Sequence, residues 1–399
     1  MPVSQLQSGY APAGGGGAGL TGFTSAAYDT SPHLSVNTSA IIATGATTNV
    51  DAVLQPKGTG SIAAQVADGT ATGGGKRGTG AVDFQTYRVA ATQIASAAYT
   101  VLAGGSQNTV AGSYSAMLGG QANSLSTGLF NVLGGGFNNS MSNASDYSFL
   151  GSGTGNTITA GYGFIGSGQQ NQILNANNNV ISGGFQNSAS GGSATIAGGS
   201  QNYSRNFVAF VGGGSGNSVW GQSGGILGGD GNYIGPDAYG SMAVGNNGRT
   251  DIRNMFVHGG GSMGQQGDCQ FERFIYARRT TDATQVEIFA SNGSTYSGYN
   301  VYYINVNSVS SFEINLVARQ EGSPGNVAVW KITGVLRNEN GTHFLVGTPT
   351  VTSIASLGNG TGWSVAVAVL TSRLQILITG QAAANVKWAG SLQAIKVVG

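Results

Sequence analysis

Between residues 108 and 232 an asparagine returns nine times at almost constant spacing, usually just after a glycine pair. The positions are Asn108, Asn123, Asn139, Asn156, Asn171, Asn187, Asn202, Asn217 and Asn232. The steps between them are 15, 16, 17, 15, 16, 15, 15 and 15 residues. Such a series marks one small unit stacked on copies of itself, and it points to an elongated structural protein rather than a compact enzyme.

The repeating unit reads apolar-x-Gly-Gly-x-x-Asn, as in Leu102-Ala-Gly-Gly-Ser-Gln-Asn108 and Ile196-Ala-Gly-Gly-Ser-Gln-Asn202. The apolar residue is expected to face the inside of a rung. The glycine pair permits a sharp corner at positive φ, where a Cβ is costly. Asparagine tolerates the left-handed region and is expected at the next corner, its amides forming a ladder from rung to rung. A 15-residue rung is too short for two helices and suits two short strands and two turns. At a strand spacing of about 4.8 Å, nine rungs span roughly 40 Å.

Each rung offers only one to three large apolar groups, too few to close a core alone. Association of several chains would bury a second apolar face, with Tyr114, Phe130, Phe149, Phe164 and Phe207 supplying bulk between chains. A homotrimer is the expected form.

Composition supports ordered β structure. Of 399 residues 70 are Gly and only 8% are charged, yet the chain carries 15 Tyr, 15 Phe and 4 Trp. Disorder would need high net charge and few aromatics, whereas the formal charge is +1. A collagen helix is excluded because Gly does not fall at every third position. Near-neutral charge gives no long-range pull toward nucleic acid or an anionic membrane. The single Cys269 allows no intrachain disulfide and is expected to be buried or inert. No signal peptide or apolar transmembrane run is evident, so membrane insertion is not expected.

Four segments follow. Residues 1–35 form a leader with a four-glycine run at 14–17, expected to be flexible or to serve attachment. Residues 36–100 read as short strands and turns, with Gly73-Gly-Gly-Lys-Arg-Gly78 a turn rather than a phosphate loop. Residues 101–248 are the array. Residues 249–399 hold all five Glu (Glu272, Glu287, Glu313, Glu321, Glu339) and alternate as antiparallel strands. Examples are Tyr302-Tyr-Ile-Asn-Val-Asn307, Phe312-Glu-Ile-Asn-Leu-Val-Ala-Arg319 and Leu374-Gln-Ile-Leu-Ile-Thr379. The fold class is therefore all-β: a trimeric β-roll or β-solenoid shaft followed by an antiparallel sandwich or jelly roll.

Catalytic and metal chemistry find little support in the sequence. Glycoside hydrolysis needs two carboxylates at fixed separation. Within residues 104–247 the only acids are Asp146, Asp230 and Asp237, and the only base is Arg205. Asp230 and Asp237 are half a rung apart and are read as solvated turn residues. His33, His258 and His343 lack paired ligand spacing, so no metal or other cofactor is expected. No catalytic residue is assigned. Tyr296, Tyr299 and Trp363 are candidate receptor contacts, because aromatic side chains supply binding area at low entropic cost.

The array resembles the head repeats of trimeric autotransporter adhesins. Two further stretches resemble bacteriophage tail-fibre proteins. One is Leu54-Gln-Pro-Lys-Gly-Thr-Gly-Ser-Ile62 with Gly73-Gly-Gly-Lys-Arg-Gly-Thr-Gly-Ala-Val-Asp-Phe-Gln85. The other runs from Gly267-Asp-Cys-Gln270 to Val346-Gly-Thr-Pro-Thr-Val351. The resemblance implies a virion tail fibre made in the host cytoplasm, a homotrimer that attaches to the tail or baseplate by its N-terminus. Its C-terminal domain would meet a host glycan or protein. On this reading the chain is not an enzyme. The alternatives are a bacterial trimeric adhesin, a capsid fibre or decoration protein, and a polysaccharide-degrading tailspike.

Overall fold

The structure is a computed structural model. It describes the backbone of residues 23–28 and 38–43, residues 54 and 56, and residues 58–399 apart from 143–144, 291–297 and 299. The chain divides into two units, residues 1–59 and 60–399. In the first, Phe23–Tyr28 pairs antiparallel with Thr38–Ala43. The remainder of the expected leader lies outside the described residues.

The second unit opens as a β-solenoid. Ile62–Ala63, Val82–Asp83 and Val101–Leu102 pair in parallel and start a ladder that climbs one strand per rung to Met242–Asn246 and Met255–Gly260. A second parallel ladder of ten strands runs from Thr109–Val110 to Arg249–Thr250. The rung is three-sided rather than two-sided. Its third side is a single bridge per rung, from Tyr87–Ser106 through Phe137–Thr154 to Asp230–Asn246. The glycine pair takes up the chain there and leaves room for one bridging residue.

Two aliphatic side chains from each rung meet inside. The first ladder contributes Leu102, Met117, Leu133, Leu150, Ile165 and their successors, and the second contributes Val110, Leu125, Met141, Ile158 and Ile173, all at 0% exposure. Burying each is worth about 1.5–3 kcal/mol, which must offset the ordering of some 15 residues.

Spacing within the rung explains the irregular period. Six residues separate the interior aliphatic from the asparagine in every unit, from Leu102–Asn108 to Ile226–Asn232. The 16- and 17-residue steps therefore place their extra residues in the opposite turn, between the second strand and the next first strand. The glycine corner tolerates no insertion because it packs directly on the rung above. A Cβ on Gly199 (φ +86°) would lie 2.1 Å from the carbonyl oxygen of Gly214, whereas one on Gly198 (φ +155°) would meet nothing within 4 Å. Gly199→Ala is accordingly expected to cost about 3 kcal/mol or more and Gly198→Ala about 1 kcal/mol. Denaturant titration of the two variants checks this, and equal losses would refute it.

After the solenoid the chain builds a two-sheet sandwich. Met255–Gly260 turns the parallel ladder antiparallel by pairing with Cys269–Thr280. That strand pairs with Val386–Val398, which pairs with Ser308–Gln320, then Val327–Glu339 and Thr350–Leu357. The facing sheet is Val286–Glu287, Arg373–Thr379 and Ser364–Leu370. Between them lie Phe274, Tyr276, Ile314, Leu316, Trp330, Ile332, Ile376 and Trp388. The segment from Tyr302 to Asn307, expected as a strand, forms none. The Ile304 N–H donates to Nε2 of buried His343 instead of to a neighbouring strand.

Among the described residues no helix is long and apolar enough to cross a membrane.

Candidate functional site

The nine asparagines are buried and lie on one line up the solenoid. At the centre of the array, Asn171 Nδ2 donates to Ser167 O at 3.2 Å and to Gly184 O at 2.9 Å. Its Oδ1 accepts the backbone N–H of Asn187 at 3.1 Å. The same pattern links Asn187 to Asn202, Asn202 to Asn217 and Asn217 to Asn232. Each side chain thus replaces the peptide bonds that a sharp corner leaves unmade. The left-handed residue is not the asparagine but the one before it, as at Gln107, Gln170, Gln186 and Gln201 (φ 54–60°). The asparagine turns inward, and its neighbour absorbs the backbone bend.

A second polar ladder occupies another corner and was not foreseen. Asn131 N–H donates to Ser115 Oγ, Ser148 N–H to Asn131 Oδ1, Gly163 N–H to Ser148 Oγ and Ala194 N–H to Asn179 Oδ1. Its signal in the sequence is a small or polar residue just before each first strand.

Glutamine amides take the place of the ladder asparagine at both ends. Gln85 Oε1 accepts the N–H of Asn108, and its Nε2 donates to Asn108 O. At the far end Gln270 Oε1 accepts the N–H of Arg249 and its Nε2 donates to Arg249 O. At the far end this blocks the edge of the second ladder, where another strand would otherwise add, whereas at the near end Ala95 already bridges Val110 and Gln85 completes the corner beside it. Gln270 also donates to Glu272, which pairs with Lys396 Nζ at 2.8 Å and accepts the Tyr302 hydroxyl at 2.7 Å. Burial, with Glu272 beside it, holds that hydroxyl well above the usual tyrosine range. The group is therefore a neutral donor, and the cluster is fully paired.

The outer faces of the two ladders differ in chemistry. On the first, Val101, Val132, Phe149, Phe164, Phe210 and Met242 are 36–40% exposed, and the Phe149 and Phe164 rings stack at 5.4 Å. In the adjoining turns Tyr99, Tyr114, Phe130, Tyr147 and Tyr162 form an exposed stack with ring centroids 5.1–5.3 Å apart. The second ladder presents Thr109, Ser124, Ser140, Thr157, Gln172 and Ser188 outward, then Tyr203.

That polar face carries a groove of about 780 Å³ over five successive rungs, with Gln172, Ser188 and Ser190 along it and Tyr203 and Arg205 at one end. Arg205 lies over two rings, 4.8 Å from the Tyr203 centroid and 4.4 Å from that of Trp220. The sequence held a signal for this site: the only base within residues 104–247 sits two residues after one aromatic and one rung before another.

The candidate receptor contacts fare differently. Trp363 is 5% exposed and packs at 6.0 Å from Trp388 in the sandwich core, so it offers no ring to a partner. Its position after Gly362, at the start of a strand, turns it inward. Tyr296 and Tyr299 lie outside the described residues. Asp230 bridges on the third side of its rung, whereas Asp237 lies in the turn after Tyr233–Ile234, so the fold does not bring the two to one side of a rung. Cys269 is a free, partly exposed thiol. Among the described residues no three His, Cys, Asp or Glu side chains gather as metal binding requires.

No protein-family model matches the chain, and neither does any curated protein. The resemblance of the repeats to adhesin heads draws no support from these comparisons. Among solved structures the chain is similar to the tailspike protein gp49 of Acinetobacter baumannii bacteriophage Fri1, a capsular polysaccharide depolymerase. Identity is 9% over 94% of this chain and 75% of that one, with a TM-score of 0.24. It is also similar to the tailspike of Acinetobacter phage vB_ApiP_P1, at 10% identity over 84% and 79% of the two chains and a TM-score of 0.21. A third is the tailspike of Acinetobacter baumannii phage AM24, at 8% identity over 79% and 67% and a TM-score of 0.24. No residue of this chain takes a role from these matches.

One expectation is corrected here. The sequence was read as non-enzymatic, yet the neighbours include a depolymerase, which is an enzyme, and the non-enzymatic reading is withdrawn. Its weakness is physical. The acids of the array are only part of the chain's, since Asp83 and all five Glu lie outside residues 104–247.

Proposed function

We propose that this chain is a bacteriophage tail appendage of the tailspike type that engages polysaccharide on the host surface. Three copies pack along the apolar outer face of the first ladder, and the polar face of each looks outward. The N-terminal segment attaches to the tail, and the sandwich lies at the distal end. The observation that carries this reading is the contrast between the two outer faces. One exposes a mostly apolar ladder with stacked phenylalanines, broken only at Thr195 and Gly225, which water disfavours over such a length, and the other is hydroxyl- and amide-rich. Covering the first leaves a shaft whose exposed surface suits hydroxylated ligands.

Light scattering is expected to return three times the 40.0 kDa chain mass. Gold-labelled antibody against the chain is expected on the tail of the intact particle. A monomer, or label on the capsid shell, would refute the proposal. Release of new reducing ends from host capsule would assign cleavage as well as binding to the appendage.

A further inference from the structure

We infer that the groove beside Arg205 binds an acidic saccharide, one that carries a carboxylate on its sugar units; this deepens the polysaccharide reading above and rests on it. The Arg205 Cζ lies over both the Tyr203 and the Trp220 rings, which hold it in place, while the guanidinium N–H groups remain able to bind. Among the described residues no carboxylate pairs with it, although every Glu described has a cation or hydroxyl partner. A planar fork of donors held against two rings, with no acid to fill it, matches a carboxylate bidentately.

The rest of the groove selects a sugar chain over a small anion. No acid is among the residues lining it. One wall is formed by the amides of Gln170 and Gln186, in which Gln186 Nε2 donates to Gln170 Oε1 at 2.8 Å, and Gln201 Nε2 continues the rail to Gln186 Oε1 at 3.2 Å. Each amide has a second N–H that these bonds leave unused. The floor at Ser188 and Ser190 is low because small residues follow Gln172 and precede Tyr203 on the same ladder. Donors repeated at the rung interval, a shallow floor and an aromatic end wall fit a linear, hydroxyl-rich polymer with periodic negative charge.

The test uses the full-length protein and a panel of purified bacterial capsular polysaccharides, some containing uronic acids and some neutral, in calorimetric titration. Binding to at least one uronate-containing polymer is expected, weaker at higher salt, and reduced at least tenfold by Arg205→Gln. Ser188→Trp, which fills the groove and leaves the arginine in place, is expected to cause a similar loss. Binding to no uronate-containing polymer, stronger binding to neutral ones, or binding unchanged in both variants would overturn the inference. Antibody labelling of the particle with unaltered protein is read separately. A label on the tail with Arg205→Gln still binding capsule fully would leave the appendage reading intact and this site refuted.

Discussion

Asn171→Leu is expected to destabilise the solenoid by about 3–4 kcal/mol, although leucine has the same number of side-chain heavy atoms with the same branching and the site is fully buried. The loss has identifiable parts. The donations to Ser167 O and Gly184 O disappear. The Asn187 N–H, which now points at Asn171 Oδ1, is left without an acceptor inside the rung. An orphaned buried donor costs about 1–3 kcal/mol by itself, and the lost bonds add to it. Asn187 Nδ2 retains Gly183 O and Gly199 O, so the damage stays within about one rung on either side. Because rungs contact only their neighbours, a weakened central rung is also expected to divide unfolding into two stages. Gln172→Leu is the control. It adds the same side chain one residue along but on the exposed face, where a change within about 0.5 kcal/mol is expected. Chemical denaturation followed by tyrosine and tryptophan fluorescence compares the two. Equal midpoints would show that the asparagine ladder contributes nothing beyond filling space.

The ladder is also the part of the molecule that the sequence made most legible, and the reason is repetition. Leu102, Asn108 and their equivalents recur nine times, so positional noise averages out and the interior of the rung can be read directly. The corner itself was misassigned by one residue. Left-handed backbone at Gln107, Ala122 and Gln170 follows from how the inward asparagine drags the chain, and glutamine carries no such preference to betray it. The serine and asparagine ladder at the other corner was missed because Ala194 and Ala209 interrupt it. In the sandwich the limits are those of distance. Alternation located Ser308–Gln320 and Arg373–Thr379 well, but the stretch from Tyr302 alternates in the same way and is held outside any strand by the Tyr302 hydroxyl on Glu272 and the Ile304 N–H on His343. Glu272 and Lys396 lie 124 residues apart in sequence, and no local pattern announces their pairing. Trp363 was misplaced for a related reason, since an aromatic after a Gly-rich turn reads as exposed unless the facing Trp388 is known.

The N-terminal end of the solenoid carries a second large effect. Asp83 sits in the first ladder with its side chain fully buried, and two arginines converge on it. Arg77 Nε donates to Oδ2 at 2.9 Å, and Arg88 Nη2 bonds both carboxylate oxygens at 3.0 and 3.1 Å. Both arginine side chains are at most 1% exposed. Asp83→Asn keeps the shape and removes the charge, leaving two buried guanidiniums with no counterion. A loss of about 3–5 kcal/mol is expected. Arg77→Met is expected to cost less. It leaves a one-to-one pair between Asp83 and Arg88, and Arg77 Nη2 already has no partner to lose. The cluster also holds the capping residue. Gln85 N–H donates to Asp83 Oδ1, and Gln85 in turn completes the corner at Asn108. Amide hydrogen exchange is therefore expected to lose protection first over residues 75–110 in Asp83→Asn, while residues 180–235 keep theirs. Uniform loss along the solenoid, or a greater loss in Arg77→Met, would show that the charges are not what fastens this end.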